Sequence, residues 1–577
     1  MTSADCAGSS PRIMLALLWA TVVLAGCAQL PGRAPADRVA AVAAAHPLAV
    51  AAGLETLRDG GTAADAAVTV QAMLGLVEPQ SSGLGGGAFL LYYDAATRRI
   101  TAFDGREAAP AAAKPELFLD AQGQPLPWRE AILTGRSTGV PGALAMLGAA
   151  QARHGRQPWQ RLFGAAIRAA TDGFVVPQRL ARFANSPFPQ ASLPDVRALF
   201  SRADGTPVQA GDRLSNPAYA ATLQRIAAAG PRALLEPPLS AAIIARTRAE
   251  PLPGRLEPAD FAAYQPRIGE PLCRPFLVYV VCVPPPPSSG VALLQLLALL
   301  EHTGIASHQP AEPQAWFLFA EASRLMYADR DQYVADPQFV PVPIAELLDP
   351  DYVAGRATLI GTTAGPAPAA GDLAVPQSGA DATREAGGTS HFVVTDRWGN
   401  IACITTSVES LFGSGRAVGG FLLNNQLTDF SLEPLFDGRP AANAVAGGKR
   451  PRSSMAPVIV LDRAGRPVAA LGSPGGTAIL AYNAKALVGL LAWHQPLQQA
   501  IELPNLIARG ADYFGEVAKF EPALREELAA RGILIRAGRG EESGLHGLVF
   551  GPAGVIDGGA DPRREGVWRR LDPTAAD

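Results

Sequence analysis

The apolar residues of this chain change their period once, at Thr389. Before about residue 360 most recur at helical spacing; from Thr389 onward they fall into short β-type runs, HFVVTD, NIACITTSV, FLLNN, PVIVLD and PVAALGS, cut by Gly, Asn and Asp turns. Residues 361–388, between the two parts, hold few large apolar groups and read as loop or mobile linker. A helix-rich first part thus meets a strand-rich second part, the make-up of an α+β protein. With 577 residues the chain suffices for about two to four domain-sized units or one interlocked fold. Its 59 glycines and 51 prolines stay below the share of roughly 25–30% that marks low-complexity sequences, which excludes a wholly disordered chain.

Within the first part, residues 38–78 read as two helices joined at Gly60-Gly61. QSSGLGGGAFLLYYD then runs from a Gly-rich loop into a strand, with RRITAF as its hairpin partner. Gly83, Gly85 and Ala88 loosely fit a dinucleotide fingerprint, but the order here is helix, loop, strand, which excludes that reading. Residues 142–245 read as a mostly helical block, FLVYVVCV as β structure, and VALLQLLALLEH and AWFLFAEASRLMYADRDQY as two further helices.

The charge balance of 49 basic against 52 acidic residues, with no long run of either sign, gives no footprint for nucleic acid and favours small-molecule chemistry. Residues 13–25 form an apolar run too short for a membrane span but suited to a signal peptide. It ends in Leu24-Ala25-Gly26-Cys27, which resembles a bacterial lipobox. Residues 1–27 are therefore expected to be a leader, with Cys27 acylated and the body tethered in the periplasm, most simply to the outer membrane, by lipid alone. Cys273 and Cys282 flank RPFLVYVV, where a hairpin would bring them within bridging range; two buried free thiols are the alternative. The seven histidines are scattered without metal-ligand spacing, so neither a metal nor another cofactor is expected.

The pair Gly387-Gly388 before Thr389-Ser390-His391 has a mechanical meaning. If the Gly388–Thr389 bond breaks, Thr389 presents a hydroxyl nucleophile and a free α-amine, whose ordinary pKa of about 8 suits a base near neutrality. The same hydroxyl is placed to attack the Gly388 carbonyl first, and a glycine there removes steric hindrance.

Thr389-Ser390-His391-Phe392 with Asp396, FGSG (412–415), NNQLTDFS (424–431), KRPRSSMAP (449–457) and GSPGG (472–476) resemble γ-glutamyltranspeptidases in order and spacing. HPLAVAAGLETLRDGG (46–61), VEPQSSGLGGGAF (77–89), Arg106-Glu107, TGVPGA (138–143), PPPPSSG (284–290) and YADRDQYVADP (327–337) extend the resemblance over about residues 40–560. It implies an N-terminal nucleophile hydrolase with a four-layer αββα sandwich, cut from one precursor into a large subunit, 28–388, and a small subunit, 389–577. It also implies that Thr389 is the nucleophile, that Ser407 stands where the family has a threonine bonded to it, and that Gly475 and Gly476 supply oxyanion-binding amides. Arg106, Ser453 and Ser454 match positions for the substrate carboxylate, and Gln426 and Asp429 those for its ammonium. Asp396 reads as a support residue.

Two departures stand out. Glu409 occupies a position where many members have Asn, bringing a carboxylate toward the substrate ammonium, and the segment after Ser431 lacks a tyrosine and looks short for a lid, which favours hydrolysis over transfer. The expected activity is cleavage of γ-glutamyl amides such as glutathione, with water, an amino acid or a peptide as acceptor. The alternatives are an amidase of the same fold acting on a glutaryl (cephalosporin-type) or other acyl side chain, and a non-catalytic envelope lipoprotein that binds γ-glutamyl peptides.

Overall fold

Alternating side chains decide the architecture. In the computed structural model, which describes residues 38–571 apart from 376, 377, 380, 382, 384, 386, 437, 539–542 and 552–555, the main strands are β1 (Ala41–Ala44), β2 (Gly87–Asp94), β3 (Arg99–Gly105), β4 (Arg267–Gly269), β5 (Leu272–Phe276), β6 (Tyr279–Val283), β7 (Gly388–Thr395), β8 (Ile401–Glu409), β9 (Val458–Leu461), β10 (Pro467–Gly472), β11 (His546–Phe550), β12 (Ile556–Ala560) and β13 (Val567–Arg570), besides a small three-stranded sheet (Leu506–Arg509, Asp512–Gly515, Arg536–Ala537) and two-residue pairings. They form a seven-stranded sheet, β13-β1-β7-β8-β2-β3-β4, and a six-stranded sheet, β12-β11-β10-β9-β6-β5, both antiparallel throughout.

β7 sends Val393 to one side and Phe392 and Val394 to the other, while β9 and β10 send Ile459 and Ala470 to one side and Val458, Val460 and Leu471 to the other. Val393, Cys403 and Leu91 pack with Ile459, Ala470 and Leu548 in a core between the sheets. The outer face of the first sheet is covered by helices α1 (Pro47–Arg58), α2 (Ala63–Val77) and α3 (Ala143–His154), and that of the second by α4 (Gly290–His302), α5 (Pro313–Tyr333) and α6 (Ile479–Leu487). The result is the four-layer αββα sandwich of N-terminal nucleophile hydrolases. Each fully buried Val, Leu or Ile contributes roughly 1.5–3 kcal/mol of apolar burial, and the three cores lie wholly within residues 39–577, which form one compact unit.

The two parts of the sequence are interleaved. β1 to β4 precede Gly388, β7, β8 and β13 follow it, and β1 lies between β7 and β13. Residues 41–44, expected to be helical, are this strand: AVAA carries only a weak local preference, and pairing on both edges overrides it. Asp396, in the turn after β7, accepts the backbone N–H of Ala63 at 2.9 Å and those of Trp398 and Asn400, tying that turn to the start of α2. β5 and β6 set Cys273 opposite Cys282, and the two are joined as a disulfide. The described part of 361–388 has no helix and enters a strand only at Gly388. Tyr333 donates to the Gly371 carbonyl, Arg324 to those of Gly365 and Pro366, and Gly379 to that of Pro440, so the segment is held at several points in the uncut chain. Among the described residues no helix is long and apolar enough to cross a membrane. The leader and Cys27 lie outside the described residues.

Candidate active site

Thr389, the second residue of β7, faces Ser407 on β8 in direct register, and their hydroxyl oxygens are 3.0 Å apart. Ser407 Oγ donates its proton to the carbonyl oxygen of Gly388 at 2.9 Å and accepts the Glu409 N–H at 2.9 Å. With that single proton committed, Thr389 must be the donor in the pair. The register then slips between Ser407 and Glu409, which brings Glu409 opposite Gly388 with φ of 81°. A side chain at 388 would lie 2.3 Å from the Ser410 carbonyl oxygen, so only glycine fits immediately before the nucleophile.

Behind Thr389 lies a buried charged cluster. Arg564 donates to the Thr389 carbonyl at 2.9 Å, Ser390 bonds Glu78, and Glu78 pairs with Arg179 at 2.5 Å. These groups lock β7 to the loop after α2 by charge-assisted hydrogen bonds.

On the other side, Arg106, just past β3, is fully buried. Its Nη2 donates to Asp429 Oδ2 at 2.5 Å and to the Arg452 carbonyl at 2.8 Å, and its Nε to the Pro451 carbonyl at 3.2 Å. Gln426 Nε2 donates to the same Asp429 oxygen at 2.6 Å. Among the described residues, Arg106 Nη1, Asp429 Oδ1 and Gln426 Oε1 find no hydrogen-bond partner. Burial pushes Asp429 up to about 6 against the pull of Arg106, with Glu385 adding to the rise, and burial pushes Glu107 up to about 8. Asn425 bonds the Glu409 carboxylate and accepts the Ser410 N–H at 2.9 Å, while Asn424 holds the Gly85 and Gly139 carbonyls. The NNQLTD segment thus fixes Glu409, Gln426 and Asp429 with its own side chains.

Ser453 Oγ accepts the Met455 N–H at 3.1 Å; Ser454 Oγ accepts from Arg330 at 2.8 Å, and the Ser454 N–H donates to Glu385 at 2.6 Å. Glu385 also pairs with Arg330. Burial opposes its charge, but Arg330, Arg452 and Arg106 together hold Glu385 below the usual carboxylate range. The backbone of Glu385 exchanges hydrogen bonds with Thr477, laying Gly475 and Gly476 alongside the segment that leads to Thr389. Gly475 has φ of 136° and Gly476 of 56°, and their N–H groups donate to no other described residue. A side chain at 475 would meet the Tyr482 ring at 2.5 Å.

The structure therefore brings Thr389, Ser407 and Gly388 into one hydrogen-bonded group and Arg106, Gln426 and Asp429 into another. Glu409 is tied to Asn425, and Ser454 to a pair that the sequence reading missed, Glu385 and Arg330. Arg564, Glu78 and Asn425 were missed as well. Glu385 lies four residues before Thr389 and Arg330 within YADRDQY; what sets them apart is the company they keep in space, which spacing does not encode.

Fold and site together define an enzyme of the N-terminal nucleophile hydrolase class, with a threonine at the start of a central strand. A family model described as gamma-glutamyltranspeptidase matches residues 49–570, and the chain belongs to that family. It is 36% identical over 477 residues to a glutathione hydrolase proenzyme of Bacillus subtilis (strain 168), covering 81% of this chain and 80% of the relative. It is 34% identical over 534 residues to the acylase ACY 1 proenzyme of Pseudomonas sp. (strain SE83), covering 90% and 92%. A solved cephalosporin acylase from Bacillus halodurans superposes with a TM-score of 0.80 at 25% identity, over 94% of this chain and 98% of that one.

Proposed function

We propose that this protein cuts itself at Gly388–Thr389 and then hydrolyses or transfers the γ-glutamyl group of glutathione and related amides. The observation that carries the reading is a buried group of polar atoms around Asp429 that lack hydrogen-bond partners: the donor Arg106 Nη1, 3.8 Å from Glu107 Oε2, beside the acceptors Asp429 Oδ1, Gln426 Oε1 and the Glu107 carboxylate. A γ-glutamyl group carries a carboxylate and an ammonium on one carbon, the complement of that set. Ser453 and Ser454 add hydroxyl and amide groups for the carboxylate, and Glu409 a second negative charge toward the ammonium.

In self-cleavage, Thr389 Oγ attacks the Gly388 carbonyl carbon while Ser407 Oγ–H holds the carbonyl oxygen. The C–N bond breaks, the hydroxyl proton ends on the new α-amine, and water hydrolyses the resulting ester to a Gly388 carboxylate and a free Thr389 hydroxyl. In turnover the α-amine takes the Oγ proton as Thr389 attacks the γ-amide, then gives it to the leaving amine. Gly475 and Gly476 N–H groups hold the oxyanion, each such donor typically being worth about 3 kcal/mol. Water or an amino acid resolves the acyl-enzyme. The tyrosine-free segment after Ser431 favours water.

The same reading makes 28–388 and 389–577 the large and small subunits of a heterodimer. It also makes Cys27 the acylated first residue of a periplasmic lipoprotein. The likeness to cephalosporin acylases favours a second reading, a glutaryl amidase, but a glutaryl group brings no ammonium to Asp429. Two measurements test the choice. Intact mass should give two fragments meeting at Gly388/Thr389 and one chain for Thr389→Ala, and γ-glutamyl anilide should be cleaved at least about 100-fold faster than glutaryl anilide, because the analogue leaves buried acceptors unpaired. Equal rates would establish the amidase instead.

A further inference from the structure

The strand register divides the seven-stranded sheet into two ends. Thr389, Ser407 and Gly87 lie level at one end, while Ala41, Thr395, Ile401, Tyr93 and Ile100 lie level at the other, about 20 Å away at roughly 3.3 Å per residue. The Tyr93 hydroxyl donates to the Gly465 carbonyl in the turn between β9 and β10, which places that turn at the far end too. Leu461 pairs with Val280, so the β5–β6 turn also points there.

This far end is basic although the chain as a whole has a net charge of -3. Exposed Arg98 sits between β2 and β3 and Arg99 at the start of β3, Arg397 between β7 and β8, Arg463 between β9 and β10, and Arg570 at the end of β13. Arg98, Arg99 and Arg274 line one cleft of about 690 Å³. Acidic groups here are fewer. Asp462 pairs with Arg466, Asp94 accepts amides of its own turn, Asp557 accepts the Gly558 N–H, Glu301 accepts the Leu277 N–H in the β5–β6 turn, and Glu270 lies at the cleft. Val278, at the tip of the β5–β6 turn, is 54% exposed on the same end.

We propose that this end of the sandwich is a docking surface for an anionic phospholipid bilayer, seated so that the active site faces away from it. Arginines on the turns of successive strands present charge on a common face, as a headgroup layer requires, and an exposed valine among them suits the interface below the phosphates. The compact unit starts at Val39, at this same end. The surface itself does not depend on acylation.

The test uses the unacylated chain from Ala28 onward, which contains the whole compact unit. It should sediment with phosphatidylethanolamine vesicles containing about 30% phosphatidylglycerol, and its affinity should fall at least about tenfold between about 0.05 and about 0.5 M NaCl. The variant Arg98→Glu/Arg99→Glu/Arg274→Glu should bind at least about tenfold more weakly while self-cleavage and γ-glutamyl hydrolysis stay within about twofold. Equal binding to phosphatidylcholine vesicles, a triple variant that sediments like the unsubstituted chain, or capture of soluble inorganic polyphosphate without any vesicle binding would overturn the proposal. If the triple variant fails to cleave itself, Arg397→Glu/Arg463→Glu is read the same way. The salt titration of the unsubstituted chain decides independently of any variant.

Discussion

The carboxylate of Glu385, four residues before Thr389, accepts the backbone N–H of Ser454 at 2.6 Å. Before cleavage the chain thus fills, with its own glutamate, part of the site assigned to the substrate carboxylate. The same contact, with the Arg330 pair and the bonds of the Glu385 backbone to the Thr477 hydroxyl and N–H, fixes the approach of Gly388 to Thr389.

Glu385→Gln removes the charge held by Arg330 but keeps the shape. Self-cleavage should slow about tenfold, the value expected for a charge-assisted contact reduced to a neutral one, as read from fragment appearance over time. Cleavage at the normal rate would show that the bonds between the Glu385 backbone and Thr477 alone set the geometry.

Ser407 is the sole side-chain donor to the Gly388 carbonyl among the described residues. Ser407→Ala should slow self-cleavage by about 100- to 1,000-fold, as loss of one oxyanion donor does, and Ser407→Thr should restore it. Mass spectrometry of timed samples separates the two outcomes.

Asp429 must be ionised to hold an ammonium, and burial raises it to about 6 in the uncut chain. Glu385 contributes to that rise, so a cut that draws Glu385 away would lower the value. The sign is that of a raised carboxylate: binding is intact above the folded pKa and is lost as pH falls through it. A plot of kcat/KM for a γ-glutamyl donor against pH should therefore fall on the acid side at or below about pH 6. Asp429→Asn should abolish that limb and raise KM more than it lowers kcat.

The Cys273–Cys282 bridge closes a short loop at the end of the second sheet remote from Thr389. Replacing both by serine should cost about 2–3 kcal/mol by the loop-entropy argument and lower Tm by a few degrees without changing the KM for the donor. Calorimetry beside a kinetic assay checks both halves.

Much of the site was legible because its residues sit in ordered motifs. Thr389, Arg106, Gln426, Asp429, Ser454 and the glycine pair were all named from the sequence, and the structure joins several of them directly. What stayed hidden was relational. Glu385 sits in a stretch that reads as featureless linker, and only its contact with Ser454 gives it meaning. Period-2 runs announced β7 to β10, but AVAA at 41–44 reads as helix, because a strand held between two partners needs no local preference of its own. The bond between Cys273 and Cys282 stood open until the hairpin register placed them opposite each other.

The interleaving of strands gives maturation a direction in time. In the uncut protein, β1 finds its place between β7 and β13 as parts of one molecule; after the cut, the same sheet can be rebuilt only when two separate chains meet. Folding information is held by a peptide bond that the protein then erases. If the proposed cut leaves two chains, their assembly persists through the slowness of its opening, and a heated sample should not regain on cooling what the uncleavable precursor regains.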